Sequence, residues 1–176
     1  QFFVMDWLYG GTADGTRYYE LVRDEVKGLA ERGQSLYPER FRLLSLCSPP
    51  SHNWKLVDWM QREKGASLVS DTFDTHWGEW EWNPSRPLES LAEKCAADPH
   101  ILTYNGPVED TVEAVVQDAV DFHADGAIYW AAVGCRQGCG MIRVLKDALH
   151  QRVDIPWATI DMDVNDPTFV SDDELK

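Results

Sequence analysis

The residues of this chain best suited to chemistry are Cys135 and Cys139, set in the run Cys135-Arg136-Gln137-Gly138-Cys139-Gly140. The run follows Ala127-Ile128-Tyr129-Trp130-Ala131-Ala132-Val133, which reads as a buried strand, and it leads into a helical pattern expected to begin near Gly138. A strand giving way to a helix puts both sulfurs at the carboxyl rim of a sheet, where open α/β folds bind ligands and cofactors. A helix N-terminus with Arg136 beside it favours anions and thiolates, and thiolate is the form that coordinates soft metals and iron-sulfur clusters. Gly134, Gly138 and Gly140 would let backbone and cofactor approach closely. The plain alternative is a pair of small buried side chains that happen to be cysteine. The CxxxC spacing is not the CxxC of thioredoxin-like redox sites, and no second CxxC completes a closed zinc site.

The elements that must position this run follow from periodicity. Tyr18, Val22, Val26 and Leu29 recur at helical spacing between Thr12 and Gly33. Phe41 to Cys47 is a short apolar strand closed by Pro49-Pro50, and Asn53 to Glu63 carries Leu56, Val57 and Met60 on one helical face. Ala66 to Ser70 is the second strand. A tryptophan-rich loop through Trp77, Trp80 and Trp82 follows, then helices from Pro87 to Ala97 and from Pro107 to His123. The third strand runs Gly126 to Val133, a helix Gly138 to His150, and the fourth strand Ile155 to Ile160. Strands alternating with helices predict an α/β domain with a parallel sheet of about four strands and helices on both faces.

Composition narrows the function classes. The chain has 176 residues, 44% of them hydrophobic, enough for one globular domain with an added helical segment. A formal net charge of −14 with scattered Lys and Arg argues against nucleic-acid binding. No apolar stretch approaches the roughly 20 residues that cross a bilayer, and the start lacks the basic region of a signal peptide. Cys47, Cys95, Cys135 and Cys139 read as reduced thiols of a cytoplasmic protein rather than a disulfide framework. Gln1 stands where an initiator Met would, and Ser171-Asp172-Asp173-Glu174 reads as a capping box with almost no helix after it, so a fragment of a longer protein is expected. No GxGxxG, P-loop or GxSxG motif is present.

The chain resembles the 2-hydroxyacyl-CoA dehydratase and benzoyl-CoA reductase family of iron-sulfur subunits. The resemblance rests on Ser48-Pro49-Pro50 with His52-Asn53, on Lys64-Gly65-Ala66, on Ala124-Asp125-Gly126-Ala127-Ile128 leading to Cys135, and on Ile155-Pro156 through Asp161-Met162-Asp163 to Asn165-Asp166-Pro167-Thr168-Phe169. It implies a flavodoxin-like three-layer domain, residues 1–176 being the C-terminal part of a two-domain subunit. It implies a 4Fe-4S cluster in the cleft between those domains, with Cys135 as this domain's ligand, Gly134 beside it, and further ligands from the missing domain. Cys139 departs from the commonest pattern and is the less favoured ligand. The implied partners are a paralogous second subunit, an ATP-hydrolysing iron-sulfur activator and an acyl-CoA substrate. The implied chemistry is oxygen-sensitive one-electron reduction of the thioester to a ketyl radical, giving dehydration of a 2-hydroxyacyl-CoA. Reduction of an aromatic acyl ring, a non-catalytic role as a paralogous subunit, and a metal-free binding module are the other readings.

Weaker candidates remain. Arg136 and Gln137, beside the cluster-facing turn, could donate hydrogen bonds to a sulfide or the thioester, or simply be solvated. His52 follows a Pro-Pro turn on the same rim and could serve as a general acid or as a capping residue; His76 has a similar claim. Trp77, Trp80 and Trp82 crowd one short segment, an aromatic surface suited to packing, a subunit interface or a pocket wall. Asp161, Asp163 and Asp166 lack the glycine and closing glutamate of an EF-hand, so calcium is rejected there.

Overall fold

The computed structural model describes residues 8–35, 37–71, 80–98, 101, 103, 105–171 and 175. The chain forms two compact units, Gln1–Pro38 and Glu39–Lys176. In the first, helix α1 (Ala13–Glu31) starts where the Thr12 hydroxyl accepts the Gly15 N–H at 3.1 Å. It stops where Gly33 enters the left-handed region, which lets the Gly33 and Gln34 amides reach back to Ala30 and Leu29. Of its apolar stripe, Tyr18, Val22 and Leu29 are half-buried and Val26 is exposed.

The second unit is a four-stranded parallel sheet flanked by helices, the flavodoxin-like arrangement expected. Its elements in order are β1 (Phe41–Leu46), α2 (Trp54–Trp59) continuing as a π turn (Met60–Lys64), and β2 (Ala66–Asp71). Then come α3 (Pro87–Ala97), α4 (Val108–Asp121), β3 (Gly126–Ala132), α5 (Arg136–Arg152) and β4 (Trp157–Met162). The spatial order is β2-β1-β3-β4, with Leu43 to Leu46 paired against Gly126 to Tyr129. The order reverses direction between β1 and β3, so their carboxyl ends form the switch point where such sheets bind ligands.

Both faces are packed, as near-continuous apolar strands require. Val115, Val116 and Ala119 of α4 and Met141, Leu145 and Leu149 of α5 cover Leu44, Leu46, Ala127 and Tyr129 on one face. Leu56 and Met60 cover Trp130 and Met162 on the other. Trp130 is fully buried, and its indole N–H donates to the Ser45 hydroxyl at 3.1 Å, which satisfies two polar groups that burial would otherwise leave costly.

The amino edge explains two of the blocks that carried the resemblance. The Asp125 carboxylate accepts the Arg42 N–H at 2.8 Å while the Asp125 N–H donates to the Arg42 carbonyl at 2.7 Å, extending the β1–β3 pairing by one residue. A Cβ on Gly126 would stand 3.3 Å from Leu43 Cδ2 and 3.4 Å from the Pro156 carbonyl, so glycine permits the close approach of three strand starts. Arg40 and Phe41 both donate to the Gly65 carbonyl.

Several boundaries differ from expectation for local reasons. The Asn53–Glu63 helix changes to a π turn at Met60 and ends at left-handed Gly65. β4 begins at Trp157 rather than Ile155, and the Pro156 carbonyl, accepting from Ala127, marks its entry. α5 begins at Arg136, two residues before the expected Gly138, because the Cys135 side chain itself caps the helix.

Candidate functional site

The chain leaves β1 and β3 through residues with positive φ. Cys47 follows β1 at φ 65, and Gly134 follows β3 at φ 91. The left-handed region is open to glycine and costs other residues about 1–2 kcal/mol. Cys135 then caps α5: its sulfur accepts the Gly138 N–H at 3.3 Å, and its carbonyl accepts the Cys139 N–H at 2.9 Å. The Cys135 side chain is half-buried, placed between core and solvent at the rim.

Gly138, on the first turn of α5, is the point on which the site converges. A Cβ there would stand 3.2 Å from Cys135 Sγ, 3.4 Å from the Tyr129 hydroxyl and 3.6 Å from Cys47 Sγ. The Tyr129 hydroxyl donates to the Gly138 carbonyl at 2.7 Å and is also hydrogen-bonded with the Cys47 thiol. Its ring stacks on Trp157 at 5.4 Å between centroids. Burial pushes the Tyr129 hydroxyl well above its ordinary pKa, and the sulfurs of Cys47, Cys135 and Cys139 push in the same direction. Tyr129 therefore stays a neutral hydrogen-bond donor at any ordinary pH.

The other candidate residues are spread along the rim and beyond it. Cys139 is exposed, its thiol donating to the Ala132 carbonyl at 3.6 Å. Arg136 and Gln137 are exposed on the first helical turn rather than in a loop. Gly134 is required for its backbone angle and not for close approach, since a Cβ on Gly134 or Gly140 would meet nothing within 4 Å; only Gly138 of the three is sterically tight. His52 is exposed and engages the loop after β4: its Nδ1 lies 3.1 Å from the Val164 carbonyl, to which Ser51 also donates, and it helps hold Asp166 below the usual carboxylate range. The larger cause of that shift is Thr168, whose hydroxyl and N–H both donate to Asp166. Asp163 caps the same loop by accepting from Asn165 and Asp166. His76 and Trp77 lie outside the described residues. Trp80 lies under the Lys94 ammonium, and Trp82 is exposed. A surface pocket of about 300 Å³ over α2 is lined by Asn53, Lys55, Leu56, Asp58, Trp59, Arg62 and Glu63 and contains none of the predicted site residues.

Sequence reasoning missed Tyr129 and the proximity of Cys47 to Cys135. Neither was legible along the chain: Leu46 is in register with Tyr129 and Cys47 is the next residue, an adjacency that the strand order decides.

Among the described residues no three His, Cys, Asp or Glu side chains are grouped to hold a metal. The donor set still fits one cysteine ligand to an iron-sulfur cluster. Cys135 presents a half-buried sulfur at a helix N-terminus with an N–H directed at it, the contact that stabilises ligating thiolates. Cys47, 5% exposed and bonded to Tyr129, lies behind that rim.

Fold and site thus define a flavodoxin-like α/β unit with a helix-capping thiol at its switch point. The chain belongs to the family described as 2-hydroxyglutaryl-CoA dehydratase, D-component, whose model matches residues 1–176. It is similar to one of the subunits of the benzoyl-CoA reductase of Thauera aromatica, 24% identical over 185 aligned residues that cover 96% of this chain and 40% of that protein. The chain therefore spans well under half the length of that relative. No helix among the described residues is long and apolar enough to cross a membrane.

Proposed function

We propose that this chain is part of a subunit of a cytoplasmic acyl-CoA enzyme and that Cys135 is its ligand to a 4Fe-4S cluster completed by residues outside the chain. The observation that carries the reading is the Cys135 sulfur, half-buried at the switch point and accepting the Gly138 N–H. A cluster held there supplies single-electron transfer to an acyl-CoA thioester. The chain's own residues act around that sulfur. The Gly138 amide holds it, and the neutral Tyr129 hydroxyl pins the Gly138 carbonyl so that the turn keeps its shape. Arg136 and Gln137, exposed beside Cys135, are available to donate hydrogen bonds to a thioester oxygen.

The partners of this reading are a paralogous second subunit, an ATP-hydrolysing iron-sulfur activator and the acyl-CoA substrate. The family description favours dehydration of a 2-hydroxyacyl-CoA. The similarity to a benzoyl-CoA reductase component favours reduction of an aromatic acyl group as the second reading. Product analysis with both substrate types separates them, and turnover of neither assigns a non-catalytic role.

The test is iron and acid-labile sulfide content, with the visible spectrum, of the whole protein prepared without oxygen alongside its partner. Cys135→Ser is expected to lose the cluster iron of this subunit, and Cys139→Ser to keep most of it. Equal loss at both positions overturns the assignment.

A further inference from the structure

Cys47 is a residue the proposed function leaves unused. It is buried, it occupies the left-handed region without being glycine, and its sulfur shares with Cys135 the space that the missing Cβ of Gly138 leaves open. A strained backbone held at a site is an observation from which function is inferred, and here the strain places a second thiol beside the first. We propose that Cys47 and Cys135 form a redox-active dithiol that closes to an intramolecular disulfide when Cys135 carries no metal.

The two thiols have different roles because they differ in access. Cys135, half-exposed and held at a helix N-terminus, meets the oxidant, and Cys47, buried behind it, resolves the product. With glutathione disulfide as oxidant, the Cys135 thiolate attacks one glutathione sulfur and expels one glutathione thiolate. The Cys47 sulfur then attacks Cys135 Sγ in the mixed disulfide, expelling the second. The two protons lost from the cysteines are taken up by the two glutathione thiolates, so the protein is oxidised by two electrons and one glutathione disulfide is reduced to two glutathiones. Cys135 Sγ and Cys47 Sγ lie 3.2 and 3.6 Å from the same Cβ position on Gly138, which places them in one neighbourhood; a disulfide also requires Cα atoms within about 7 Å, and the turn carrying Cys135 moves where side-chain rotation does not suffice. Cys139 is the competing partner by sequence distance, but it is exposed and its thiol turns to the Ala132 carbonyl.

The proposal does not depend on the cluster assignment, and its test reads neither iron nor activity. The reduced, metal-free full chain is equilibrated with glutathione redox buffers, the remaining thiols are alkylated, and peptides are mapped by mass spectrometry without reduction. Cleavage after basic and acidic residues separates all four cysteines, since Arg136 lies between Cys135 and Cys139 and Asp98 between Cys95 and Cys135. The expected product is a Cys47–Cys135 linkage. Cys47→Gly, whose backbone suits the left-handed angle, should cut linked chains about tenfold and leave glutathione on Cys135 instead, while Cys139→Ser leaves the linkage intact. Far-ultraviolet circular dichroism confirms that both variants remain folded. A Cys135–Cys139 linkage, a stable glutathione adduct at Cys135 in the unsubstituted chain, or no oxidation of Cys47 at potentials that oxidise Cys135 overturns the proposal.

Discussion

The two edges of the sheet use the same backbone conformation for different ends. At the amino edge, Gly65, His123 and Asp154 take positive φ just after helices, and the local amides return to helix carbonyls: Gly65 to Met60, Ala124 to Ala119 and Asp154 to Leu149. At the carboxyl edge, Cys47 and Gly134 take positive φ just after strands, where the chain must turn over the rim. A left-handed residue that ends a helix contributes hydrogen bonds through its backbone, which glycine supplies at the least cost and which asks nothing of the side chain. A left-handed cysteine that ends a strand contributes only what its side chain does. The amino edge is therefore built for pairing, and the carboxyl edge places sulfur.

The comparison can be broken most sharply at Gly126. Leu43 and the Pro156 carbonyl leave no room for a branched side chain, so Gly126→Val should destabilise the chain by about 1–3 kcal/mol in urea unfolding. The same change at Gly140, where a Cβ meets nothing, should cost less; equal losses would refute the idea that the amino edge is the tightly fitted one.

A smaller effect separates the two uses of positive φ. His123→Gly removes a left-handed penalty with no core contact at stake and should gain about 0.5–1 kcal/mol after the entropy cost of glycine. Cys47→Gly removes the same penalty but also a buried thiol and its hydrogen bond with Tyr129, giving a net loss of about 1 kcal/mol. Gains of equal size would show that the Cys47 side chain contributes nothing to the rim.

The smallest effect lies on the surface of the helical layer. Arg152 holds Glu113 by two hydrogen bonds, at 2.6 and 2.8 Å, tying α5 to α4 and lowering the Glu113 pKa. Because the folded value lies below the unfolded one, the contribution is present above the ordinary glutamate range and is lost as pH falls through the folded value. The pair is exposed to solvent, so Glu113→Gln should change stability only slightly at neutral pH and flatten a small part of the acid limb, an effect that added salt suppresses. A large neutral-pH loss would make the pair a structural tie rather than a screened surface contact.

Local signals in the sequence determined much of this molecule. Pro87 opens α3, Gly33 and Gly65 stop their helices, and the apolar run that starts at Ala127 supplies the inner strand β3, because such marks act through the backbone within a few residues. The alternation of elements made a parallel sheet, and a parallel sheet put Cys135 at its carboxyl edge. Only the tertiary structure decided that β1 lies beside β3, and hence that Cys47 and Tyr129 stand around Gly138 with Cys135. Strand order depends on which apolar faces pack together across dozens of residues, and no periodicity in one segment encodes its neighbour. The start of α5 was hidden for a related reason: Cys135 caps it with sulfur, outside the oxygen-bearing residues by which helix starts are read.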